Sequence, residues 1–197
     1  RDATNIIKSL PDIATGADGR PLASPELLVV INQERKNGSG TSNVTIRGVD
    51  AEGLALRQGI KIYEGRDVAP GAAELIVGKR IAERFKGFGL GEQVKLEQRL
   101  FTVVGHFSAG GTAFDSEIWA DVTDVQDDTR REGYSGLRVT VAPGAEARAL
   151  IHRIEADGRF TLEAKPETTY YAEQAETARS LYFLVLTSAI IARWQRH

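Results

Sequence analysis

The chain has no cysteine among its 197 residues, which excludes a disulfide-bonded scaffold and a zinc site built from thiolates. Histidine is also scarce. The three present, His106, His152 and His197, form no pair at a spacing that would place two imidazoles on one metal ion, so we assign no metal site. The chain also has no large excess of positive or negative charge, because 25 basic and 27 acidic side chains give a net charge of −2. This balance gives no general attraction to nucleic acid, which we exclude as a partner.

Nucleotide-binding motifs are missing as well. Gly87, Gly89 and Gly91 approach a G-x-G-x-x-G fingerprint, but position 92 is Glu and the run follows a predicted helix instead of preceding one. No G-x-x-x-x-G-K-[ST] sequence occurs either. We therefore expect no cofactor to bind to this chain.

The G-x-S-x-G elbow of many hydrolases is also absent. Ser108, His106 and Asp115 are the one combination that we consider for a catalytic triad. His106 and Ser108 lie two apart on a predicted strand and point the same way, so they would meet only if the chain bent there. A structural role for His106 is the better prediction, and we do not expect an enzyme.

Apolar residues make up 42% of the chain, enough to bury a core as one domain or as two closely packed subdomains. Several local signals agree within residues 74–107. The apolar residues 75–77 predict a strand, Ile81 and Phe85 share one face of a helix, and glycines end that helix. Alternating apolar residues from 94 to 104 then predict a β-hairpin.

A basic cluster lies on the helix of that segment and consists of Lys79, Arg80, Arg84 and Lys86. Glu83 interrupts it, so a solvated helix face is predicted. The aromatic residues on either side of the following glycine-rich loop are predicted to pack in the core rather than to form a protein or lipid contact; they are Phe107, Phe114 and Trp119.

Other elements are assigned from their periodicity. An amphipathic helix is predicted over residues 4–10, and Pro11 ends it. The polar residues 123–131 are assigned to the surface. A strand at 137–141, a helix over 145–156 and a strand at 159–164 predict a strand–helix–strand unit. Shorter strands are predicted at 27–31, 44–48, 60–63 and 118–122, the first two as a hairpin.

The C-terminal segment contains neither glycine nor proline from residue 167 to 192, which predicts one helix. Its character changes at Leu181, because residues 181–192 carry no charge. These twelve residues fall short of the ~20 that cross a bilayer, so two interpretations stay open, a truncated membrane span and an apolar helix in the domain's own core. The residues that would link such a span to the membrane are Leu181, Tyr182, Phe183, Leu184, Val185, Leu186, Ile190 and Ile191.

Six motifs occur in a fixed order: RGVD at 47–50, YEGRDV at 63–68, VGKRIAERF at 77–85, a Gly-Leu-Gly turn, FTVVGHF at 101–107 and SEIWADV at 116–122. The series resembles the extracytoplasmic core domain of MacB-type ABC transporter permeases, the family that includes the LolC/LolE and FtsX-like permeases. None of the motifs is catalytic. A chain that begins Arg-Asp instead of Met is also expected to be part of a longer protein.

The resemblance implies an α+β (mixed) fold in two subdomains. The larger, discontinuous subdomain would take residues 1–45 and 117–167 with strand–helix–strand units, and the smaller, mostly β part would be inserted over residues 46–116. Residues 168–197 would form a C-terminal helix leading into a membrane span, which the resemblance favours over a core helix.

The resemblance further implies a periplasmic part of an inner-membrane protein, without catalytic activity. It would couple ATP-driven motion to the export or extraction of a lipid, lipoprotein, peptide or drug. The implied partners are an ABC ATPase subunit or domain, a periplasmic adaptor protein and a second permease copy. The alternative is an extracytoplasmic sensor or ligand-binding module that does not transport, and an enzyme of unrecognised type ranks third.

Overall fold

The computed structural model describes residues 2–57, 59–159 and 161–173. The helices are α1 (Asp2–Lys8), α2 (Ala51–Ala55), α3 (Lys79–Arg84), α4 (Val122–Thr129) and α5 (Ala147–Glu155), and residues 167–173 are also helical. The strands are β1 (Ala23–Glu34), β2 (Thr41–Val49), β3 (Lys61–Gly65), β4 (Glu74–Gly78), β5 (Gln93–Lys95), β6 (Leu100–Ser108), β7 (Glu117–Asp121) and β8 (Gly136–Val139). Helices packed with a mixed sheet confirm the predicted α+β class.

Within the described residues, eight strands form one mixed sheet with the order β3-β6-β4-β7-β2-β1-β8, and β5 also pairs with β6. The pairs β4–β6 and β2–β7 are parallel, and the remaining pairs are antiparallel. The first two strands form the predicted hairpin, in which Val29 lies opposite Ile46. The strand predicted at 60–63 corresponds to β3, which lies at one end of the order.

One face of the sheet is almost entirely apolar, because alternate residues of each strand point to the same side. Leu75 and Val77 of β4 lie on it beside Ile118 of β7, and all three are fully buried. Ile81 of α3 and Val125 of α4 belong to the same cluster, so these helices cover the face. Each such side chain contributes roughly 1.5–3 kcal/mol by leaving water.

The opposite face has a smaller apolar cluster, which consists of Val49, Ile76, Phe107, Ala109 and Trp119. The rings of Phe107 and Trp119 lie 5.0 Å apart, and the half-buried ring of Phe114 meets Trp119 edge-on at 5.4 Å. The aromatic residues around the glycine-rich loop therefore pack in the core.

Residues 74–107 form the predicted strand, helix and hairpin, with Val94 of β5 opposite Phe101 of β6, but α3 ends at Arg84 and Phe85, predicted within it, lies just after it in an extended conformation. Two glycines allow the end of β3 to approach β6 closely. A Cβ atom on Gly65 would lie 2.2 Å from the Val104 carbonyl oxygen, and one on Gly105 would lie 2.2 Å from that of Arg66. Gly65 also has a φ of +76°, which glycine adopts without strain.

The assignment of residues 123–131 to the surface is only partly correct, because most of them form α4, in which Thr123 and Asp127 are exposed but Asp124, Val125 and Asp128 are buried. Asp121 starts this helix by accepting hydrogen bonds from the backbone N–H groups of Thr123 and Asp124. The helix buries two of its own carboxylates, Asp124 and Asp128. Their polarity suggested exposure, but both accept hydrogen bonds from backbone N–H groups outside the helix.

Asp128 receives three of these bonds from the turn between β5 and β6. The N–H groups of Glu97, Gln98 and Arg99 lie 2.6–2.9 Å from its carboxylate oxygens. A buried carboxylate is stable in such a site because the N–H groups replace its water shell. The helix thereby fixes the conformation of the hairpin turn.

The two subdomains predicted at residues 46 and 116 occupy the two halves of one sheet, and β2 crosses the first boundary. The halves meet where β4 pairs with β7, with Ile76 opposite Trp119. The chain divides differently into compact units, the first ending at Ala145 and the second beginning at Glu146. The predicted subdomain boundaries stay a prediction.

The second unit begins with α5, whose Leu150 and Ile154 are buried while His152 is exposed. The strand predicted at 159–164 is wrong, because residues 161–166 have no regular secondary structure. Strand backbone groups need partners on a neighbouring strand, but the Ala164 N–H donates to the Glu155 side chain at 3.2 Å.

The predicted C-terminal helix begins within the described residues, which are helical from 167 to 173. The uncharged segment 181–192 lies outside the described residues, and so do the eight residues predicted to link it to the membrane. Among the described helices, none is long and apolar enough to cross a membrane.

Candidate functional site

The residues considered for a catalytic triad do not form one. His106 uses both ring nitrogens elsewhere, with Nδ1 2.7 Å from the Glu64 carboxylate and Nε2 2.7 Å from the Phe88 carbonyl oxygen. The ring is buried, and these two contacts tie β6 to β3 and to the turn after α3. Ser108 instead accepts a long hydrogen bond of 3.4 Å from the Gly110 N–H. His106 therefore has the structural role predicted for it.

Asp115 organises the glycine-rich loop. One of its carboxylate oxygens accepts the N–H of Ala109 at 2.6 Å, and the other accepts the N–H of Gly111 at 2.8 Å. The residue is buried, so these bonds replace the hydration of its charge. Its oxygens hold the loop and are not directed at the histidine.

The glycines that approach a phosphate-binding fingerprint form a turn after α3. Gly87 and Gly91 have positive φ angles of +80° and +79°, and the Gly89 N–H donates to the Glu92 carboxylate at 2.5 Å. An acidic side chain of the chain itself thus takes a backbone N–H that a phosphate would need. Among the described residues, no group of three or more His, Asp or Glu side chains is arranged to hold a metal ion.

A buried network of two arginines and two glutamates lies on the second face of the sheet. Arg47 of β2 forms a two-pronged contact with Glu117 of β7, with its Nε and Nη2 at 2.7 Å and 2.8 Å from the two carboxylate oxygens. Arg47 also bonds to Glu26 of β1, and Arg57 bonds to the other oxygen of Glu26 at 2.5 Å. We call these four residues the buried ionic network.

All four side chains are at most 11% exposed, so the charges compensate one another instead of being hydrated. Aromatic residues complete the site. The indole N–H of Trp119 donates to Glu117 at 2.9 Å, and the guanidinium carbons of Arg47 and Arg57 lie 5.3 Å and 5.0 Å from the centre of the Phe114 ring. The network therefore connects β1, β2, β7 and the chain after α2.

Half of this network lies in segments that the motifs mark. Arg47 begins RGVD, and Glu117 lies in SEIWADV, where it is the charged first residue of an apolar strand. Sequence reasoning missed Glu26 and Arg57, which lie 21 residues before and 10 residues after Arg47 and belong to no motif. An acidic residue directly before the apolar run of β1 was the only available signal for Glu26.

Other motif residues also hold the chain through polar contacts. Asp50 of RGVD accepts the Gly53 N–H at 2.8 Å at the start of α2 and the Ser24 hydroxyl at 2.5 Å. Arg66 of YEGRDV forms a fork with Glu74, and this contact lowers the pKa of Glu74. The motifs are thus built from residues that fix strands and helix ends in place.

The same fold occurs in extracytoplasmic domains of ABC transporters. The periplasmic region of MacB from Actinobacillus actinomycetemcomitans superposes with a TM-score of 0.55 and 13% sequence identity, over 79% of this chain and 72% of that one. The extracellular domain of the noncanonic ABC-type transporter YknZ from Gram-positive bacteria gives a TM-score of 0.58 at 17% identity, over 83% and 86%. At these identities the likeness shows the fold.

The family follows from the sequence itself. The model of the MacB-like periplasmic core domain matches residues 6–157, and the chain belongs to this family. A comparison with curated protein sequences finds no match. The chain is a periplasmic domain of an ABC transporter permease, in agreement with the resemblance of its motifs. Membership implies association with an ABC ATPase in the assembled transporter.

Proposed function

We propose that this domain couples the ATP-driven motion of the permease's membrane helices to the export or extraction of a lipid, lipoprotein, peptide or drug, which passes to a periplasmic adaptor protein. The observation that carries the proposal is the family match over residues 6–157. In this function the domain is not catalytic. Two permease copies work together.

The sheet and the buried ionic network support this role. Motion that starts at the membrane is transmitted by elements that move as a unit, and packed sheets with fixed side-chain contacts are such elements. Arg47 holds β1 and β7 through two carboxylates, and β4 pairs with β7, so a force on one half of the sheet reaches the other. A sensor that only binds a ligand has no need of this mechanical continuity.

Distance measurements between spin labels test the coupling without knowledge of the substrate. Thr123 is exposed on α4, and the chain has no cysteine, so Thr123→Cys gives one label per permease copy once any cysteine elsewhere in the full-length protein is replaced by serine. The label-to-label distance is measured in the permease–ATPase complex without nucleotide and after trapping with ADP and vanadate. Coupling predicts that the distance distribution shifts between the two states.

The matched control is a complex whose ATPase has its P-loop lysine replaced by alanine, for which we expect no shift. A distribution that is the same in both nucleotide states of the active complex would contradict the proposal. If it then shifted on addition of an external ligand alone, the sensor function would replace the coupling function.

A further inference from the structure

A groove of about 440 Å³ lies between the end of the β1–β2 hairpin and α3. Its walls come from two stretches of chain that are far apart in sequence, 35–43 and 80–85, with Ser116 beside them. Four of its lining residues are basic, Arg35, Lys36, Arg80 and Arg84, and one, Glu83, is acidic.

Main-chain contacts hold the two basic stretches together. The Lys36 N–H donates to the Arg84 carbonyl at 2.8 Å, the Lys86 N–H donates to the Glu34 carbonyl at 3.1 Å, and Arg35 forms a β-bridge with Phe85. The convergence of positive charge is therefore a property of the fold and does not depend on side-chain rotamers.

Three of the four basic side chains of the groove donate hydrogen bonds to neutral groups. Arg35 donates to the Ser42 hydroxyl at 3.2 Å, and Arg80 donates to the Gly111 carbonyl at 3.1 Å. Lys36 donates to the Ala82 carbonyl at 2.7 Å, where it caps the end of α3. Within the described residues none of these cations forms an ion pair with a carboxylate, although Glu83 lines the same groove, and like charges that are brought together repel one another.

The other two lysines of the predicted basic cluster differ from the arginines. Lys86 forms an ion pair with Glu34 at 2.6 Å, and Lys79 is exposed and does not line the groove. The cluster that the sequence presents as one solvated face is thus divided by the fold. Arg80 and Arg84 line the groove together with Arg35, whereas Lys79 and Lys86 do not line it.

We propose that this groove binds a phosphate group with more than one negative charge, held by the guanidinium groups of Arg35, Arg80 and Arg84. Guanidinium groups match the oxygens of phosphate in pairs. One carboxylate would compensate only one of these positive charges, whereas a phosphate with two or more negative charges compensates more of them.

Two sources can supply this chemistry, a soluble phosphate compound and the headgroup of a phosphomonoester lipid. Binding of inorganic pyrophosphate to the whole chain is measured by calorimetry, and binding to vesicles by co-sedimentation. The vesicles contain phosphatidic acid in phosphatidylcholine, with pure phosphatidylcholine as the reference. Hexaglutamate serves as a third probe, because it carries negative charge on carboxylates instead of phosphates.

The critical variant is Arg84→Glu, and Lys79→Glu is its matched control, since both make the same change of charge near the same helix. We expect Arg84→Glu to weaken binding by at least about tenfold, the effect of losing one charge-assisted contact, and Lys79→Glu to change it less than about twofold. Arg84→Gln, which introduces no repulsive charge, is expected to weaken binding in the same direction and serves if Arg84→Glu does not fold.

Loss of pyrophosphate binding in the Arg84 variants, with binding retained in Lys79→Glu, supports the proposal with a soluble ligand. The same pattern seen only with phosphatidic acid vesicles supports it with a lipid headgroup. Equal or tighter binding of hexaglutamate would overturn it in favour of an acidic protein segment. Absence of binding to every probe, or equal losses in Arg84→Glu and Lys79→Glu, would also overturn it.

Discussion

The two faces of the sheet are stabilised in different ways. One face is apolar from β1 to β6 and packs against α3 and α4. The other has a small apolar cluster and, beside it, the buried ionic network of Glu26, Arg47, Arg57 and Glu117. Apolar packing tolerates substitution by residues of similar volume, whereas a buried ion pair fails when either partner is removed.

This difference bears on function as well as on stability. Apolar contacts hold the sheet together without directional bonds, so they permit small adjustments between strands. The hydrogen-bonded fork between Arg47 and Glu117 has a fixed geometry and determines how β2 lies against β7. The face that contains the buried ionic network is therefore the part of the domain best suited to keep the geometry of the sheet fixed when a force acts on it.

The largest effect is expected from Arg47→Ala. This change leaves the carboxylates of Glu26 and Glu117 buried without their shared partner, so the free energy of unfolding should fall by about 3–5 kcal/mol. Urea denaturation measures the loss. A decrease below about 1 kcal/mol would mean that water reaches the network and that the two faces do not differ as described.

Truncation of the apolar face should cost somewhat less. Phe85 and Val103 are 7% and 1% exposed and belong to the same cluster. Phe85→Ala is expected to destabilise the domain by roughly 2–5 kcal/mol and Val103→Ala by roughly 1–3 kcal/mol, because each leaves a cavity. The midpoints of denaturant unfolding measure both values, and near-zero shifts at both positions would show that this face is not packed.

A third substitution tests a contact that is only partly solvated, the one between Glu74 and Arg66. Glu74 is 12% exposed and accepts from Arg66, which is 58% exposed, and from the Ala69 N–H at 2.9 Å. Glu74→Gln should lower the free energy of unfolding by about 1 kcal/mol at pH 7, since one charged acceptor is lost.

The effect of Glu74→Gln should also depend on pH. The hydrogen bonds from Arg66 lower the pKa of Glu74 in the folded state. Its contribution is therefore fully present above the unfolded value of about 4.3 and is lost as the pH falls through the folded value. The difference between wild type and variant should shrink below about pH 4. A difference that stays constant from pH 7 to pH 3 would exclude the charged contact as its source.

The smallest effect is expected from Lys86→Ala, which removes an exposed ion pair with Glu34. Both side chains are more than half exposed, so water and salt screen the attraction and the loss should stay below about 0.5 kcal/mol. Thermal unfolding at low and high salt measures it. A loss comparable with that of Arg47→Ala would remove the distinction between buried and exposed pairs in this domain.

Much of the fold could be predicted because its signals are local. The strand, helix and hairpin of residues 74–107 follow from apolar periodicity and glycines, and the β1–β2 hairpin follows from two apolar runs around a turn. Helix α4 could not be predicted in this way. From the sequence, its buried Asp124 and Asp128 look like surface residues. Only the structure shows that both accept hydrogen bonds from backbone N–H groups of distant residues.

The sites were harder to predict because they depend on strand register between distant residues. Glu26 and Glu117 are 91 positions apart, and only the pairing of β1, β2 and β7 brings both to Arg47. The basic groove has the same origin, since the basic cluster on α3 is visible in the sequence but its meeting with Arg35 and Lys36 is not. The order of the motifs identified the family, but it did not reveal what the charged residues within them contact.

Hydrogen exchange of backbone amides in β4 and β7 tests most directly whether the sheet acts as one body across the two predicted subdomains. These strands pair at Ile76–Trp119 and Val77–Ile118, in the middle of the sheet. We expect their amides to exchange only through global unfolding, so that their opening free energy equals the free energy of unfolding from urea denaturation. Arg47→Ala should lower this opening free energy by the same amount in both strands. If β4 and β7 opened with different free energies, both below the global value, the halves would move separately and the sheet could not transmit motion as proposed.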